Sequence, residues 1–123
     1  MKRAKLQDMT VKQLVERFTT IGIEQDQALL RRQYAKFNGL FEQMVAIEDE
    51  LRARDGDQRR ELLSLYKHPN AQVRLNAIKA TLAVAPDIAR RALQALADSR
   101  EYPQAGDAGM SLWNLEQGIF KPT

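Results

Sequence analysis

One proline turn between two helical segments restricts the fold more than any other feature of this sequence. It lies within Leu62–Leu82, which reads LLSLYKHPNAQVRLNAIKATL. Pro69 cannot continue a helix because it has no backbone N–H, and it also restricts His68 to extended backbone. Asn70 is a good N-cap residue, so we predict that a new helix begins at Ala71. The chain therefore reverses between two short helices, as in a helical hairpin.

Two longer helices are predicted before this turn, because apolar residues recur there at spacings of three and four. In the first, over about residues 10–32, Thr10 and Gln13 have the spacing of a capping box. In the second, over about residues 34–54, an apolar stripe runs from Phe37 to Leu51. Two such helices with a short connection indicate an antiparallel hairpin.

The same patterns predict an all-α fold with six helices, because no segment shows a sustained period of two. The predicted helices cover about residues 10–32, 34–54, 57–67, 71–84, 86–97 and 107–117, with a loop over 101–106 and a helix stop at Gly118. Ile88 and Leu93 lie on the predicted apolar stripe of the fifth helix, and Glu50 with Arg54 has the spacing of an i,i+4 ion pair. We expect residues 1–9 to be a flexible lead-in and residues 10–123 to be a single helical-repeat domain. Its architecture would be a stack of antiparallel α-hairpins.

The residue types present argue against most catalytic and metal chemistry. The chain has no cysteine and one histidine, His68, which excludes disulfides, thiolate nucleophiles and the usual zinc sites. The acidic run 48–50 occupies consecutive helix positions, which diverge by about 100° each and cannot converge on one ion. The glycines at 106 and 109 lack the lysine and spacing of a phosphate-binding loop. We expect no enzyme activity, no catalytic or metal-binding residue and no cofactor, with His68 a turn residue rather than a general base.

The second half of the proline-turn region resembles a HEAT-type repeat. The matching residues are Val73, Arg74, Ala77 and Leu82, placed after a helix and a proline turn. A similar turn recurs 34 residues later, at Tyr102 to Ala105. The resemblance implies a right-handed, HEAT- or armadillo-like superhelix in which second helices line a concave surface.

The chain is also similar, over most of its length, to a small bacterial single-domain family without an assigned activity. Three stretches carry this resemblance: GDQRR at 56–60, HPNAQVR at 68–74 and GIFKP at 118–122. The resemblance implies a helical-repeat fold and no particular catalytic residue.

A helical-repeat module most often binds another protein, and four residues are our candidates for that contact: Arg74, Lys79, Trp113 and Asn114. The role would be that of an adaptor, a regulator or a toxin-neutralising factor. Trp113 either covers the end of the core or presents a flat anchor to the partner. Arg74 either faces the partner or pairs with Asp107 of the next repeat, and the internal pairing is our specific hypothesis.

Nucleic-acid binding is the alternative function, because residues 59–100 carry eight basic and three acidic side chains. The basic set that could follow phosphates is Arg59, Arg60, Arg74, Lys79, Arg90 and Arg91. No aromatic residue is interleaved with this set for base stacking.

We expect a cytoplasmic protein that does not enter a membrane. The basic start MKRAKLQD is not followed by the apolar segment of a signal peptide. No stretch approaches the roughly 20 apolar residues of a membrane span. The oligomeric state stays open, because the apolar stripe that begins at Phe37 could exceed what one domain covers.

Overall fold

The computed structural model describes residues 5–123, and within that range every regular element is helical. The predicted all-α class and the six predicted helices are confirmed, with one additional short 3-10 helix near the start. The α-helices are α1 (Val11–Leu30), α2 (Tyr34–Ala53), α3 (Ala71–Thr81), α4 (Pro86–Asp98) and α5 (Gln104–Glu116). The N-terminal 3-10 helix is Leu6–Asp8 and the central 3-10 helix is Gln58–Lys67.

The chain divides into two compact units, residues 1–61 and residues 62–123. In the first unit, α1 and α2 form the predicted antiparallel hairpin around a three-residue connection. Its buried apolar residues are Leu14, Phe18, Ile21, Ala28, Leu40, Met44, Ile47 and Leu51. In α2 these residues recur every three or four positions, and in α1 the same spacing is kept by the buried Gln25 between Ile21 and Ala28.

Helix α1 begins with the predicted capping box and is continuous. The Thr10 side chain accepts a hydrogen bond from the Gln13 N–H, and the Gln13 side chain accepts from the Thr10 N–H. Gln25 interrupts the apolar stripe in the sequence, yet its side chain is fully buried and the helix runs through it to Leu30. The helix therefore continues across this polar position, to within two residues of its predicted end.

Arg54 connects α2 to the N-terminal segment. Its Nε lies 2.7 Å from Glu50 Oε2, which is the predicted i,i+4 pair. Its Nη2 donates to the carbonyl oxygens of Leu6 at 3.0 Å and Met9 at 2.7 Å. Of the predicted flexible lead-in 1–9, residues 1–4 lie outside the described residues, and the remainder includes this anchored 3-10 helix.

The second unit packs α3, α4 and α5 around one apolar cluster. Asn70 caps α3 as predicted, because its Oδ1 accepts from the Gln72 and Val73 N–H groups at 2.9 and 3.1 Å. The central cluster consists of Leu75, Ile78, Leu82, Ala89, Leu93, Leu96, Ala108 and Leu115. Leu93 is fully buried, whereas Ile88, which we placed on the same stripe of α4, is 48% exposed.

Helix α5 begins at Gln104, three residues before the predicted start at Asp107. Pro103 and Gly106 suggested a loop, but proline is compatible with a helix start because that N–H would have no partner in the first turn. The Ala105 N–H donates to the Glu101 carbonyl at 2.8 Å, and the Asp107 N–H donates to the Pro103 carbonyl at 3.2 Å. At the other end the helix ends near Gly118, as predicted, whose φ of 72° suits glycine.

Candidate functional site

Two ion pairs join α3 to the start of α5 in residues 62–123. Arg74 Nη2 lies 2.7 Å from Glu101 Oε1, and Lys79 Nζ lies 3.2 Å from Asp107 Oδ1. Arg74 precedes Lys79 on α3, and Glu101 precedes Asp107 along the chain. Helix α3 and the first turn of α5 therefore run in the same direction.

A row of buried amide side chains also joins α3 to the start of α5. Gln104 Nε2 donates to Gln72 Oε1 at 3.1 Å, and Gln72 Nε2 donates to Asn76 Oδ1 at 2.9 Å. All three side chains are buried. Together with the two ion pairs they form a polar contact between two helices, which we name the α3–α5 seam (Gln72, Arg74, Asn76, Lys79, Glu101, Gln104, Asp107).

The predicted pairing of Arg74 with Asp107 is wrong. Each has a different partner, because α5 starts earlier than predicted and brings Glu101 rather than Asp107 to the level of Arg74. Arg74 nonetheless forms an ion pair within residues 62–123, with Glu101. The Arg74 Nε is buried and has no hydrogen-bond partner among the described residues, so the Glu101 carboxylate bonds Nη2 and not Nε.

The Arg74 guanidinium also changes the electrostatics of Glu101. Its hydrogen bond to the carboxylate lowers the pKa of Glu101 below the ordinary value for glutamate, although slight desolvation acts in the opposite direction. The carboxylate form is thus favoured by its partner in the folded state. Because the Glu101 side chain is exposed, this is a surface interaction at the edge of the seam.

An exposed apolar strip lies along α5. Tyr102, Met110 and Trp113 are 71%, 61% and 52% exposed, and with Gly106 they form what we name the α5 strip. Positions 106, 110 and 113 share one helix face, opposite the buried Ala108 and Leu115. The Tyr102 ring lies beside Gly106, where an added Cβ would be 4.0 Å from Tyr102 Cδ1.

The four candidate residues do not form one cluster. Arg74 and Lys79 contribute to the α3–α5 seam, and Trp113 lies on the α5 strip rather than covering the core. Asn114 is half-buried, and its carbonyl oxygen accepts from the Ile119 and Phe120 N–H groups at 2.9 and 3.1 Å. Its backbone thus closes the end of α5.

Sequence reasoning missed Tyr102 and Met110 as surface residues. The signal for Met110 was the helical spacing of residues 106, 110 and 113, and the predicted loop over 101–106 removed Gly106 from that pattern. A helix that begins at Gln104 includes all three positions, whereas Tyr102 precedes the helix and had no such signal.

Half of the basic set proposed for phosphates has carboxylate partners. Arg59 Nη2 lies 2.7 Å from Asp57 Oδ2, and this hydrogen bond lowers the pKa of Asp57 and raises that of Arg59. Arg74 and Lys79 are paired as described above. Arg60, Arg90 and Arg91 are exposed. The positive charge available on the surface is therefore smaller than the sequence count suggests.

His68 has the contact of a turn residue. Its Nδ1 accepts a hydrogen bond from the Asn70 N–H at 3.0 Å, directly before α3. Within residues 5–123, no group of three or more His, Asp or Glu side chains converges in a way that could hold a metal ion.

A groove of about 760 Å³ lies in residues 1–61, against the N-terminal 3-10 helix, α1 and α2. Its lining mixes apolar residues such as Met9 and Ile21 with charged ones such as Glu16 and Arg17. Both of these charged side chains are exposed, which is typical of a solvated surface. The α5 strip is therefore the stronger candidate for a binding site.

The family described as "Domain of unknown function (DUF2019)" matches residues 12–116. The chain belongs to this family. The match covers α1 to α5, so both the hairpin of residues 1–61 and the seam of residues 62–123 are parts of a DUF2019 domain.

This DUF2019 chain is also similar to a solved structure, the crystal structure of the protein RPA1889 from Rhodopseudomonas palustris CGA009. The two chains are 55% identical with a TM-score of 0.94, and the alignment covers 98% of this chain and 100% of that one. The similarity to a bacterial protein agrees with the resemblance to a small bacterial family. No match was found among the curated proteins.

No helix within residues 5–123 of this DUF2019 chain combines the length and the apolar character that crossing a bilayer requires.

Proposed function

We propose that this chain is a non-catalytic, HEAT-like helical-repeat module of the cytoplasm that binds a protein partner through the α5 strip. The observation that carries the proposal is the exposure of Met110 and Trp113 on one face of α5, with the exposed Tyr102 ring beside Gly106 at the start of that face. Scattered apolar residues are normal on a surface, whereas a contiguous row marks a site of interaction.

The composition of the α5 strip suits a protein contact. Tryptophan and tyrosine are enriched among the residues that dominate binding energy, and methionine adapts to irregular apolar surfaces. Because Gly106 has no side chain, the α5 backbone is accessible beside the Tyr102 ring, and a side chain of the partner could contact it there. The occupant would be an apolar helix or loop of the partner.

Charged residues lie beside the strip and would form its rim. Lys79 and Asp107 remain partly exposed although they pair with each other, and Glu101 adjoins Tyr102. Polar residues at the rim of an interface contribute more to specificity and association rate than to affinity. Arg74 and Lys79 therefore keep a part in our proposal, as supports of the rim rather than as anchors.

The arrangement of α3, α4 and α5 supports the repeat interpretation. In a stack of hairpins each second helix runs parallel to the next, and the α3–α5 seam joins two helices with this relation. A seam that joins equivalent helices is what neighbouring repeats would require.

The absence of catalysis is also part of the proposal. Strongly perturbed pKa values cluster at catalytic sites. Here each shifted group has a structural cause: Glu101 with Arg74, Asp57 with Arg59, and Tyr66, whose pKa is raised by burial while its hydroxyl bonds Thr81.

An affinity experiment tests the proposal. The tagged protein is purified from cells of its source and associated proteins are quantified by mass spectrometry. We expect one stoichiometric protein partner that Trp113→Ala/Met110→Ala loses. The control is Ile88→Ala, because Ile88 is 48% exposed and lies on the neighbouring helix α4.

Wild type and Ile88→Ala should bind the purified partner with similar affinity. The double variant Trp113→Ala/Met110→Ala should bind it roughly ten-fold or more weakly, as is usual when anchor residues are removed. Equal binding by wild type and double variant would contradict the role of the α5 strip. Nucleic acid as the recovered partner, with affinity falling steeply between about 50 and 200 mM salt, would replace the proposal with the electrostatic alternative.

A further inference from the structure

The groove between α1 and α2 has an apolar floor. Its volume of about 760 Å³ lies in the size range of ligand-binding clefts. Ile21 and Ile47 line it as buried residues, whereas Met9 is half-buried and Ala46 is exposed. Part of this apolar lining is therefore accessible to an occupant.

Three carboxylates and one guanidinium line the same groove. Glu16 and Glu24 lie eight residues apart on α1, and Asp8 belongs to the N-terminal 3-10 helix. Within residues 5–123 none of the three carboxylates forms an ion pair, and neither does Arg17, the cation of this lining. The groove is thus negative, although the whole chain carries a net charge of +3.

One end of the groove is closed by the N-terminal 3-10 helix, and Arg54 holds that end in place. Leu6 and Met9 line the groove, and the Arg54 guanidinium donates hydrogen bonds to the carbonyl oxygens of both. The same guanidinium pairs with Glu50 of α2, which connects the end wall to the hairpin. A groove with fixed walls loses little conformational freedom when it is occupied.

We propose that this groove binds a basic amphipathic helix of a protein partner. Such a helix would complete a three-helix bundle, because a third helix packs into the depression between two antiparallel ones. The groove extends on α1 from Gln13 to Glu24, about 17 Å, which equals roughly three helical turns. The site lies in residues 1–61 and goes beyond the proposed function of the α5 strip.

The positions of the two glutamates specify the charge pattern of the partner helix. Glu16 and Glu24 are about 12 Å apart along α1, so lysines or arginines eight residues apart on an aligned helix lie opposite both. Apolar side chains between these cations then contact Met9 and Ala46. A small polyamine would neutralise the glutamates but leave the apolar floor uncovered, so the lining favours a helix with both kinds of side chain.

Fluorescence anisotropy with a labelled synthetic peptide tests the inference. The probe is an amphipathic helix of about 12 residues, with leucines on one face and flanking lysines that match the spacing of the two glutamates. We expect a dissociation constant on the order of 10 μM at about 50 mM salt, and at least roughly ten-fold weaker binding at about 500 mM. A control peptide with glutamates in place of the lysines should not bind.

Charge variants of the full chain separate the groove from general attraction to carboxylates. Glu16→Gln/Glu24→Gln should weaken binding of the lysine peptide by roughly ten-fold. The matched control, Glu42→Gln/Asp49→Asn, removes two exposed carboxylates that do not line the groove and should change binding by less than about two-fold. Arg17→Gln should strengthen binding, because it removes the cation that repels the peptide.

A bulky cation at the floor provides a second, independent variant. Ala46→Arg should weaken binding of the lysine peptide by roughly ten-fold or more, since the new side chain occupies the groove and repels the probe. Ala35→Arg is its control, because Ala35 is also exposed on α2 but does not line the groove. Circular dichroism of each variant confirms that the helices are retained.

Three results would overturn the inference. The first is no binding of the lysine peptide at millimolar concentration in low salt. The second is an equal loss of binding in Glu16→Gln/Glu24→Gln and in its matched control. The third is displacement of the peptide by spermine at lower concentration, which would assign the groove to a small polyamine. The Trp113→Ala/Met110→Ala variant should bind the peptide like wild type, so failure of the α5 proposal is distinguishable from failure of this one.

Discussion

The hairpin of residues 1–61 and the three helices of residues 62–123 differ in how far apart in the sequence their ion-paired residues lie. In the hairpin, the side-chain ion pairs join close neighbours in sequence, Glu50 with Arg54 and Asp57 with Arg59. In the second unit, the two ion pairs of the α3–α5 seam and its Gln104–Gln72 hydrogen bond join residues 27, 28 and 32 positions apart.

The two units also differ in helix length. Helices α1 and α2 have 20 residues each, so their apolar stripes extend over more than five turns. Helix α3 has 11 residues and α5 has 13, so fewer apolar positions are available between them. Both units pack around buried apolar residues, and in the second unit the polar seam adds contacts between α3 and α5.

The largest expected effect tests whether both units depend on apolar burial to the same degree. Leu14 in α1 and Leu93 in α4 are both fully buried. Leu14→Ala and Leu93→Ala should each lower the free energy of unfolding by about 2–5 kcal/mol, through lost burial and a residual cavity. Urea unfolding followed by circular dichroism measures this. The exposed Leu30→Ala is the control and should change it by less than about 0.5 kcal/mol. A loss below about 1 kcal/mol at either buried site would contradict the expectation.

The α3–α5 seam gives the next largest effect. Gln104→Leu removes the donor to Gln72 Oε1 and leaves that buried oxygen without this bond. The free energy of unfolding should fall by about 1–3 kcal/mol. The double variant Gln72→Leu/Gln104→Leu should cost less than the sum of the two single variants, because both partners are then apolar.

An exposed amide provides the reference for the seam. Gln94 Nε2 bonds Asp98 Oδ1 on the surface of α4. Gln94→Leu should change the free energy of unfolding by no more than about 0.5 kcal/mol. If Gln104→Leu lowers the free energy of unfolding no more than Gln94→Leu does, the buried amide bonds of the seam do not stabilise the second unit.

The N-caps of α1 and α3 compare the two units through a smaller expected loss of stability. Thr10→Ala removes one side-chain acceptor, and Asn70→Ala removes an acceptor that bonds two N–H groups. Both should cost about 0.5–2 kcal/mol, with Asn70→Ala toward the upper limit. Thermal unfolding shows which of the two variants loses more stability. Asn70→Asp keeps the acceptor and should retain most of the stability, and a loss equal to that of Asn70→Ala would argue against capping.

The smallest effect is the pH dependence of one carboxylate in each unit. The pKa of Asp57 is lowered by Arg59 and that of Glu101 by Arg74. A lowered pKa stabilises the folded state above the ordinary carboxyl pKa, and this stabilisation is lost as the pH falls through the folded-state pKa. Both groups are at least one-third exposed, so each contributes at most about 1 kcal/mol.

Arg74→Met tests this pH dependence at Glu101. NMR titration of the Glu101 carboxyl should show its pKa rising toward the ordinary value, while that of Asp57 stays lowered. An unchanged pKa of Glu101 in this variant would show that Arg74 is not the cause.

Local signals predicted most element types and several helix ends. The capping box at Thr10, the N-cap Asn70, the stop near Gly118 and the i,i+4 pair of Glu50 with Arg54 are all present. Each depends on residues within four positions of one another, so a linear pattern contains all the information. The start of α5 was misplaced because Pro103 and Gly106 are compatible with both a loop and a helix start.

Contacts between distant residues could not be predicted in the same way. The partner of Arg74 was assigned to Asp107 and proved to be Glu101, because a shift of three residues in the start of α5 changes which carboxylate lies opposite. Trp113 and Phe41 satisfy apolar spacing, yet both are about half exposed. Spacing states which residues share a face of a helix, but not whether another helix covers that face.

By itself, the sequence determined the all-α class, the proline turn after the central 3-10 helix and the absence of cysteine chemistry. These follow from backbone sterics, short-range hydrogen bonds and residue type. The tertiary structure alone decided which carboxylates neutralise Arg74 and Lys79 and which apolar residues of α2 and α5 stay exposed. The physical reason is that burial and ion pairing depend on the alignment of packed helices, which a shift of a single turn changes completely.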